Sequence, residues 1–261
     1  MAGAELDFSD RVVLVTGGSR GIGHGVAKGF ARAGAEVHIL ATGPGVHPAA
    51  ARLSDEGARR PVTGHVCDIT DRARVAQVIG GFERIDVLIN NAGLEQPTPI
   101  LAPGDEVEAT FRRIIEINVI GTHSVTREAV SKMVPGGRII LTASIWGRTA
   151  VADFSAYCAS KHANIGFMRS LARELGPKGI TVNAVCPGWV RTDAALRSLA
   201  FLAAKEDRDE AALLDDIVGG QAMAGLMEPD DVVGPYLFLA SAAAASITGQ
   251  ALNVDRGEVL S

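Results

Sequence analysis

The sequence predicts an α/β fold in which a doubly wound parallel sheet of about seven strands carries helices on both faces. Short apolar runs alternate with segments of roughly a dozen residues or more, long enough for helical crossovers. Most of these runs are continuously apolar, as in strands buried on both faces. Right-handed crossovers between such strands produce a doubly wound sheet. We therefore predict a single domain over residues 1–261.

Seven segments are predicted as the strands of this sheet. In chain order they are Val12–Thr16, Glu36–Ala41, Val62–Val66, Val87–Asn90, Arg138–Thr142, Thr181–Val185 and Ala251–Val254. The pattern contains no internal repeat and no low-complexity linker, which agrees with one continuous domain.

The first strand leads directly into a glycine-rich turn, Thr16-Gly17-Gly18-Ser19-Arg20-Gly21-Ile22-Gly23. Gly17 permits the turn, Gly21 lets the backbone approach a pyrophosphate, and Gly23 lets the next helix pack closely on the sheet. The N-terminus of that helix offers free N–H groups and a positive dipole end to phosphates. Many tight turns have a similar composition, but the position after the first strand favours dinucleotide binding.

One segment departs from the alternation of strand and helix. After the sixth predicted strand come two helix-like stretches, Ala194–Ala204 and Ala211–Val218, followed by Gly219-Gly220. Ligands of open α/β sheets bind outside the carboxyl ends of the strands, where this insertion begins. We therefore predict that residues 193–228 form a substrate lid, with a purely structural helical hairpin as the alternative.

Tyr157 and Lys161 lie four residues apart in a helix-compatible run. This spacing places both side chains on one face of a helix. An ammonium near a phenol favours the phenolate and lowers a pKa that starts near 10. A tyrosine tuned in this way acts as a general acid or base near neutral pH. Because the same spacing often occurs by chance, the surrounding motifs decide its meaning.

Polar side chains lie where two predicted strands end and inside one predicted helix. Ser144 follows the strand Arg138–Thr142, where its hydroxyl can bond a substrate oxygen. Asn90-Asn91-Ala92-Gly93 ends the fourth strand, although an ordinary turn has the same composition. Asn118 lies among apolar residues of a helix and needs a partner if it is buried; a bond between helices is the simplest account.

Together these motifs resemble those of the classical short-chain dehydrogenase/reductase family. The resemblance extends from Val12 to Asp255. In the family's order it includes the glycine turn at 16–23, Asp68, Asn90-Asn91-Ala92-Gly93, Asn118, Ser144, Tyr157 with Lys161, and Pro187-Gly188. It implies a Rossmann-type fold and an oxidoreductase that transfers a hydride between a nicotinamide cofactor and a substrate carbon.

The resemblance implies a role for each of four catalytic residues. Ser144 would orient and polarise the substrate oxygen, and Tyr157 would exchange a proton with it. Lys161 would lower the pKa of the tyrosine and bind the nicotinamide ribose. Asn118 would hold a water that links Lys161 to solvent.

The resemblance also implies how the cofactor and the subunits are held. The implied cofactor residues are Gly17, Ser19, Arg20, Gly21, Ile22, Gly23, Thr42, Asp68, Ile69, Asn91, Ala92, Gly93, Tyr157, Lys161, Pro187, Gly188, Val190 and Thr192. Helices Asp105–Met133 and Phe154–Leu175 would form the subunit interfaces of a homotetramer. Arg256 departs from the family pattern, which commonly has a second glycine at this position.

The end of the second strand favours NADP(H) over NAD(H). Folds that select NAD usually place an acidic residue there, about 20 residues past the glycine turn, to bond the ribose 2′-hydroxyl. Here the position reads Ala41-Thr42-Gly43. Arg20 can reach a 2′-phosphate through charge-assisted hydrogen bonds, and Thr42 adds a hydroxyl donor. The alternative is that Arg20 points to solvent and the site accepts either cofactor.

The predicted substrate contacts are Ser144, Trp146, Tyr157 and Trp189. Further pocket candidates are Glu95, Gln96, Ile145, Phe154, Leu196, Leu199, Phe201 and Met223. This set predicts a mostly apolar substrate with a ketone or a secondary alcohol, since no basic cluster is present for a carboxylate or phosphate. The segment Ala184–Thr192 resembles 3-hydroxybutyrate dehydrogenases and aromatic polyketide ketoreductases, but only locally.

Composition argues against several other classes of protein. A net charge of −5 and a pI of about 5.7 disfavour nucleic-acid binding. The three cysteines form no metal-spaced set. Residues 1–10 have no apolar run, so no signal peptide is predicted. The longest apolar stretch, Tyr236–Ile247, is too short to span a bilayer, and a cytoplasmic protein is expected.

Two alternative functions are compatible with the same fold. One is an NAD-dependent secondary-alcohol or hydroxy-acid dehydrogenase of the same family. The other is a non-catalytic nucleotide sensor, because fold does not determine function. Loss of Ser144, Tyr157 or Lys161 would have marked a sensor, and all three are present.

Overall fold

The computed structural model describes residues 6–260. Its strands are β1 (Val12–Thr16), β2 (Glu36–Ala41), β3 (Thr63–Val66), β4 (Val87–Asn90), β5 (Arg138–Thr142), β6 (Thr181–Pro187) and β7 (Ala251–Val254). Its α-helices are α1 (Gly21–Arg32), α2 (Val46–Asp55), α3 (Arg72–Gly80), α4 (Glu106–Ile115), α5 (Thr122–Val130), α6 (Ser155–Leu175), α7 (Asp193–Glu206), α8 (Glu210–Gly219) and α9 (Val233–Ala240). The prediction that no signal peptide is present concerns residues 1–10, and residues 1–5 of that stretch lie outside the described residues.

The strands form one parallel sheet in the order β3-β2-β1-β4-β5-β6-β7. The order reverses between β1 and β4, which is the topological switch point of a doubly wound sheet. The predicted fold class is therefore confirmed. All strands present their carboxyl ends to one edge, and the predicted polar residues collect at that edge.

Two apolar cores cover the two faces of the sheet. One is formed with α1, α2 and α9, and the other with α3, α5 and α6. Along β1, Val13 and Val15 enter the first core and Leu14 enters the second, all with no exposed surface. This two-sided burial explains why the strand sequences are continuously apolar rather than alternating.

Two strand boundaries differ from the prediction. β3 begins at Thr63 instead of Val62, and β6 extends two residues beyond Val185 to Pro187. The extension pairs Pro187 with Val254 of β7, and this long-range partner is invisible to a local hydrophobic pattern. The consequence is that Pro187-Gly188 lies immediately at the carboxyl edge of the sheet.

The predicted continuous helix Asp105–Met133 is interrupted. Between α4 and α5 the chain forms a π-helical turn, Glu116–Gly121, which contains Asn118. At Gly121 a Cβ atom would lie 2.7 Å from the side chain of Ile69, so only glycine allows this close approach. Single π-turns inside α-helices occur frequently at functional sites.

The predicted lid segment contains two helices, as expected. α7 begins after Thr192, whose hydroxyl accepts the N–H of Ala195 at 3.2 Å, and Asp209 caps α8 through the N–H groups of Ala211 and Ala212. The buried residues Leu199, Ala203 and Leu213 of these helices pack against Trp189.

None of the helices within residues 6–260 combines the length and the apolarity that crossing a bilayer requires.

Candidate active site

Three side chains predicted to be catalytic meet at the carboxyl edge of the sheet. Ser144 follows β5, and its hydroxyl oxygen accepts the N–H of Trp146 at 3.1 Å in a short 3-10 turn. Tyr157 and Lys161 lie in the first two turns of α6, with the lysine Nζ 5.4 Å from the centroid of the tyrosine ring. The structure thus brings Ser144, Tyr157 and Lys161 into one neighbourhood.

The loop after β4 fixes the start of the helix that carries Tyr157. The hydroxyl of Thr98 accepts the N–H of Ala156 at 3.1 Å and lies 3.1 Å from the hydroxyl of Ser155. Thr98 has 1% of its surface exposed, so these bonds are shielded from water. Sequence analysis did not identify Thr98, because no local pattern connects it with a helix 57 residues later.

Lys161 is almost completely buried. Its Nζ donates a hydrogen bond of 2.8 Å to the main-chain oxygen of Thr142, whose hydroxyl lies 2.8 Å from that of Tyr236 in α9. Burial lowers the pKa of Lys161 to about 8, although the negative charge of Glu95 opposes this. The lysine therefore changes its charge close to physiological pH.

The pKa of Tyr157 differs from the expectation that accompanied the family resemblance. Burial raises it well above its ordinary value, Glu95 raises it further, and the hydroxyl of Ser144 opposes them. A lowered pKa was expected from Lys161, but the lysine ammonium is directed at the main-chain oxygen of Thr142. In the polypeptide alone, the phenol of Tyr157 is therefore held protonated.

Asn118 has no exposed surface and forms three side-chain hydrogen bonds. Its Oδ1 accepts the N–H of Leu94 at 2.7 Å, while its Nδ2 donates to the oxygen of Leu94 at 2.9 Å and to Ser160 at 3.0 Å. Both amide donors are thereby occupied. These bonds tie the loop after β4 to α6, and the water-holding role of Asn118 stays a prediction.

The glycine turn fits the diphosphate of a dinucleotide. Gly17 and Gly21 have φ angles of +66° and +56°, a conformation that disfavours side chains. A Cβ atom at Gly23 would lie 2.3 Å from the main-chain oxygen of Gly17. The N-terminus of α1 has no side-chain cap from Arg20, so its N–H groups can bind phosphate oxygens.

Other implied cofactor residues surround this turn. Asn91 donates hydrogen bonds from Nδ2 to the main-chain oxygens of Thr16 and Gly17 at 3.1 and 3.3 Å. These two bonds stabilise the conformation of the turn. A Cβ atom at Gly21 would lie 3.3 Å from the side chain of Thr192. The segment after β6 therefore lies beside the turn, and its role in holding the cofactor stays a prediction. Ser19 and Ile22 belong to the turn itself, and a Cβ atom at Gly17 would lie 2.9 Å from the main chain of Ala92. Pro187, Gly188 and Val190 line one pocket together with Ile22, whereas Gly93 lies beside Asn118 and Lys161.

The residues assigned to the adenine and its ribose follow β2 and β3. One carboxylate oxygen of Asp68 accepts the N–H and the hydroxyl of Thr70 at 2.9 and 2.8 Å, and the other oxygen is 3.5 Å from Arg113. The next residue, Ile69, is buried. Arg20 and Thr42 are both exposed. Within residues 6–260, the Arg20 guanidinium forms no hydrogen bond or ion pair, so it is available to an anion.

A cavity opens beside the side chains predicted to be catalytic. Its lining residues are Ile22, Glu95, Ala143, Ser144, Ile145, Trp146, Tyr157, Pro187, Gly188, Trp189, Val190, Thr192 and Ala195. The ring of Trp146 stands edge-on to Tyr157 and Trp189, with centroid distances of 6.0 and 5.9 Å. An apolar and aromatic lining with a few polar groups is typical of a site for a small molecule.

The other predicted pocket residues occupy different positions. Phe154 is fully buried and packs behind Trp146 and against Phe201, while Leu199 of α7 is 3% exposed. Gln96, Leu196 and Met223 are exposed and absent from the cavity lining. Sequence analysis missed Ala195 of the lid, whose small side chain gave no signal.

Comparison with known proteins shows similarity over almost the whole chain. The family described as enoyl-(acyl carrier protein) reductase matches residues 17–258. A 2-dehydro-3-deoxy-D-gluconate 5-dehydrogenase of Pseudoalteromonas atlantica is 34% identical, covering 97% of both chains. A D-beta-hydroxybutyrate dehydrogenase of Cupriavidus necator is also 34% identical, covering 97% of this chain and 99% of that protein.

Solved structures agree with this similarity. A variant of the actinorhodin polyketide ketoreductase, crystallised with NADPH, is 32% identical and superimposes with a TM-score of 0.86. The match covers 97% of this chain and 98% of that one. The resemblance noted in the sequence therefore extends to the three-dimensional arrangement of the chain.

Proposed function

Since the chain belongs to the short-chain dehydrogenase/reductase family, we propose that it uses NADP(H) to interconvert a mostly apolar ketone and its secondary alcohol. Membership makes it an NAD(P)-dependent oxidoreductase that acts on carbonyl or alcohol groups. The choice of NADP(H) and the apolar character of the substrate are the proposed parts.

One observation carries the proposal. Ser144 and Tyr157 line the same cavity as the segment Pro187–Thr192 and Ile22 of the glycine turn. A dinucleotide held by the glycine turn can therefore reach the cavity in which a hydroxyl and a phenol face a substrate. When bound, the nicotinamide supplies or accepts the hydride.

The chain's own side chains would bind the carbonyl and move the proton. Ser144 accepts the N–H of Trp146 through its hydroxyl oxygen, and its O–H would donate to the carbonyl oxygen. The phenol of Tyr157, whose raised pKa keeps it protonated, would donate the proton to the same oxygen. Lys161, held by Thr142, would contribute positive charge beside the phenol. This protonated resting state supports reduction of a ketone.

The proposed preference for NADP(H) rests on the end of β2. Ala41, Thr42 and Gly43 stand where an acidic residue would repel a 2′-phosphate. The exposed guanidinium of Arg20, which has no ion-pair partner among residues 6–260, can bind that phosphate with charge-assisted hydrogen bonds. The structure solved with NADPH belongs to a relative of similar fold, which supports the same choice.

Residues 193–228 are proposed as the substrate lid. α7 contributes Ala195 to the cavity lining, and its Leu199 packs on Trp189, so movement of this helix would open the cavity. Asp153, which precedes α6, forms an ion pair with Lys205 of α7 and links the lid to the catalytic helix. Such contacts are typical of segments that close over a substrate.

We propose a homotetramer in the cytoplasm for the assembled protein. The outer face of α4 and the π-helical turn leave the side chains of Phe111 and Ile120 38% and 47% exposed. Large apolar side chains exposed together are typical of subunit interfaces.

The experiment that tests the function follows the absorbance of reduced nicotinamide. Purified protein is incubated with NADPH or NADH and a panel of apolar ketones, with Tyr157→Phe as the matched variant. We expect turnover with NADPH and a loss of ~10²–10⁴-fold in Tyr157→Phe, which removes only the proton-donating hydroxyl. No turnover by the wild type with any ketone, or a loss smaller than about tenfold in the variant, would contradict the proposal.

A further inference from the structure

We propose that Glu95 binds a hydroxyl group of the substrate, so that the substrate is a hydroxy ketone rather than a purely apolar ketone. This inference rests on the proposed function and specifies its substrate class. It concerns a residue in the loop after β4 that has no part in the transfer of the hydride or the proton.

The carboxylate of Glu95 lies within the wall of the substrate cavity. Glu95 lines that cavity together with Ser144, Tyr157 and Trp189. One carboxylate oxygen, Oε1, accepts the hydroxyl of Ser198 in α7 at 2.5 Å. Within residues 6–260 the second oxygen, Oε2, accepts no hydrogen bond, so it can bind a donor from a ligand.

An apolar ligand would be a poor complement for this wall. Enclosing a carboxylate oxygen without a donor is costly, and burial already raises the pKa of Glu95. The bond from Ser198 ties α7 of the proposed lid to Glu95 and so encloses this part of the cavity. A ligand hydroxyl placed at Oε2 would satisfy the remaining acceptor in place of water.

Nearby charges exclude the other ligand classes. A carboxylate or phosphate beside Glu95 would be repelled by its negative charge. An ammonium would meet the positive charges of Lys161 and Arg197, both of which act on Glu95. A neutral hydroxyl is the donor that neither sign of charge repels.

The position of Glu95 places this hydroxyl close to the reacting carbonyl. Glu95, Ser144 and Tyr157 line the same cavity, and the carboxylate of Glu95 acts electrostatically on the phenol of Tyr157. One small molecule can therefore place a hydroxyl at Glu95 and a carbonyl at Tyr157. We infer an α- or β-hydroxy ketone, with the apolar remainder of the molecule against Trp146 and Trp189.

The inference is tested with pairs of ketones in which one member has a hydroxyl group where the other has a methyl group. Hydroxyacetone is compared with butan-2-one, and 4-hydroxybutan-2-one with pentan-2-one, each with NADPH. The measured quantity is the ratio of kcat/KM for the hydroxy ketone to that for its methyl counterpart. Because the hydroxyl also changes intrinsic carbonyl reactivity, the ratio is compared between wild type and variants, where this contribution cancels.

Glu95→Leu should lower this ratio by about tenfold or more for at least one pair, mainly through KM of the hydroxy ketone. Glu95→Gln retains an accepting oxygen and should give an intermediate ratio, and it serves as the test if Glu95→Leu does not fold. Gln96→Leu, at the exposed neighbouring position, is the control, and its ratio should match the wild type.

The outcomes separate this inference from the proposed function. Turnover of all four ketones with the same ratio in wild type, Glu95→Gln and Glu95→Leu would overturn the role of Glu95 and leave the ketoreductase function intact. An equal loss of ratio in Gln96→Leu and Glu95→Leu would also overturn it, since a general disturbance of this loop would then explain the effect. Absence of turnover for every ketone would overturn the proposed function and the inference together.

Discussion

Replacing Lys161 by methionine should stabilise the cofactor-free protein at neutral pH. Lys161 is 4% exposed, and burial lowers its pKa from 10.5 to about 8. At about 1.4 kcal/mol for each pH unit, this difference means that the buried ammonium costs about 3 kcal/mol of stability. Methionine has a similar length and no charge, so it removes that cost.

The sign of the pH dependence follows from proton binding. Between pH 8 and 10.5 the unfolded lysine keeps a proton that the folded lysine has lost, so wild-type stability rises with pH. Below pH 8 the full cost is present, and above pH 10.5 it is absent. The methionine variant also loses the bond to the oxygen of Thr142, about 1 kcal/mol. It should therefore be more stable by about 2 kcal/mol at pH 7 and slightly less stable near pH 10.5.

Urea unfolding followed by circular dichroism measures this difference at several pH values and a fixed protein concentration. Lys178→Met, at an exposed lysine in the turn after α6, is the matched control. Equal slopes against urea in wild type and variant are required for the comparison. A stability difference for Lys161→Met that stays constant from pH 7 to pH 10.5 would refute the reasoning.

Three further predictions test other parts of the site. Arg20→Ala should weaken NADPH binding far more than NADH binding, and Thr42→Asp should shift preference toward NADH; higher wild-type kcat/KM with NADH would contradict both. Gly23→Ala should abolish cofactor binding measured by calorimetry because of the 2.3 Å approach, whereas Gly80→Ala in α3, where a Cβ atom meets nothing within 4 Å, should bind normally. Tyr236→Phe should lower the free energy of unfolding in urea by about 1–3 kcal/mol, because it leaves the buried hydroxyl of Thr142 unpaired. The loss should be smaller when the same change is made in a Thr142→Val variant, which lacks that hydroxyl.

The parts of the fold set by local sequence were predictable. Five of the seven strands begin and end at the predicted residues, because a run buried on both faces is apolar throughout. Ser144 and Asn91 could be placed at one edge because parallel strands present their carboxyl ends together. Spacing along one helix was enough to pair Tyr157 with Lys161.

The parts set by distant contacts were not predictable. The hydroxyl pair Thr142–Tyr236 joins positions 94 residues apart, and the bond from Ser198 to Glu95 spans 103 residues. The π-helical turn depends on bonds from Asn118 to a loop 24 residues earlier. The raised pKa of Tyr157 also required the structure, since it follows from burial of the phenol and from the charge of Glu95.

The placement of tryptophan gives the protein an internal optical probe. The chain contains two tryptophans, and both Trp146 and Trp189 line the cavity beside Tyr157. Reduced nicotinamide absorbs light in the range where indole rings emit, so NADPH bound in this cavity should quench their fluorescence by resonance energy transfer. Trp189→Phe would leave only Trp146, which reports ligand binding next to Ser144. Trp146→Phe would leave only Trp189, which reports ligand binding next to the proposed lid. Occupancy and lid closure thus become measurable on the unlabelled protein in stopped flow, before any turnover.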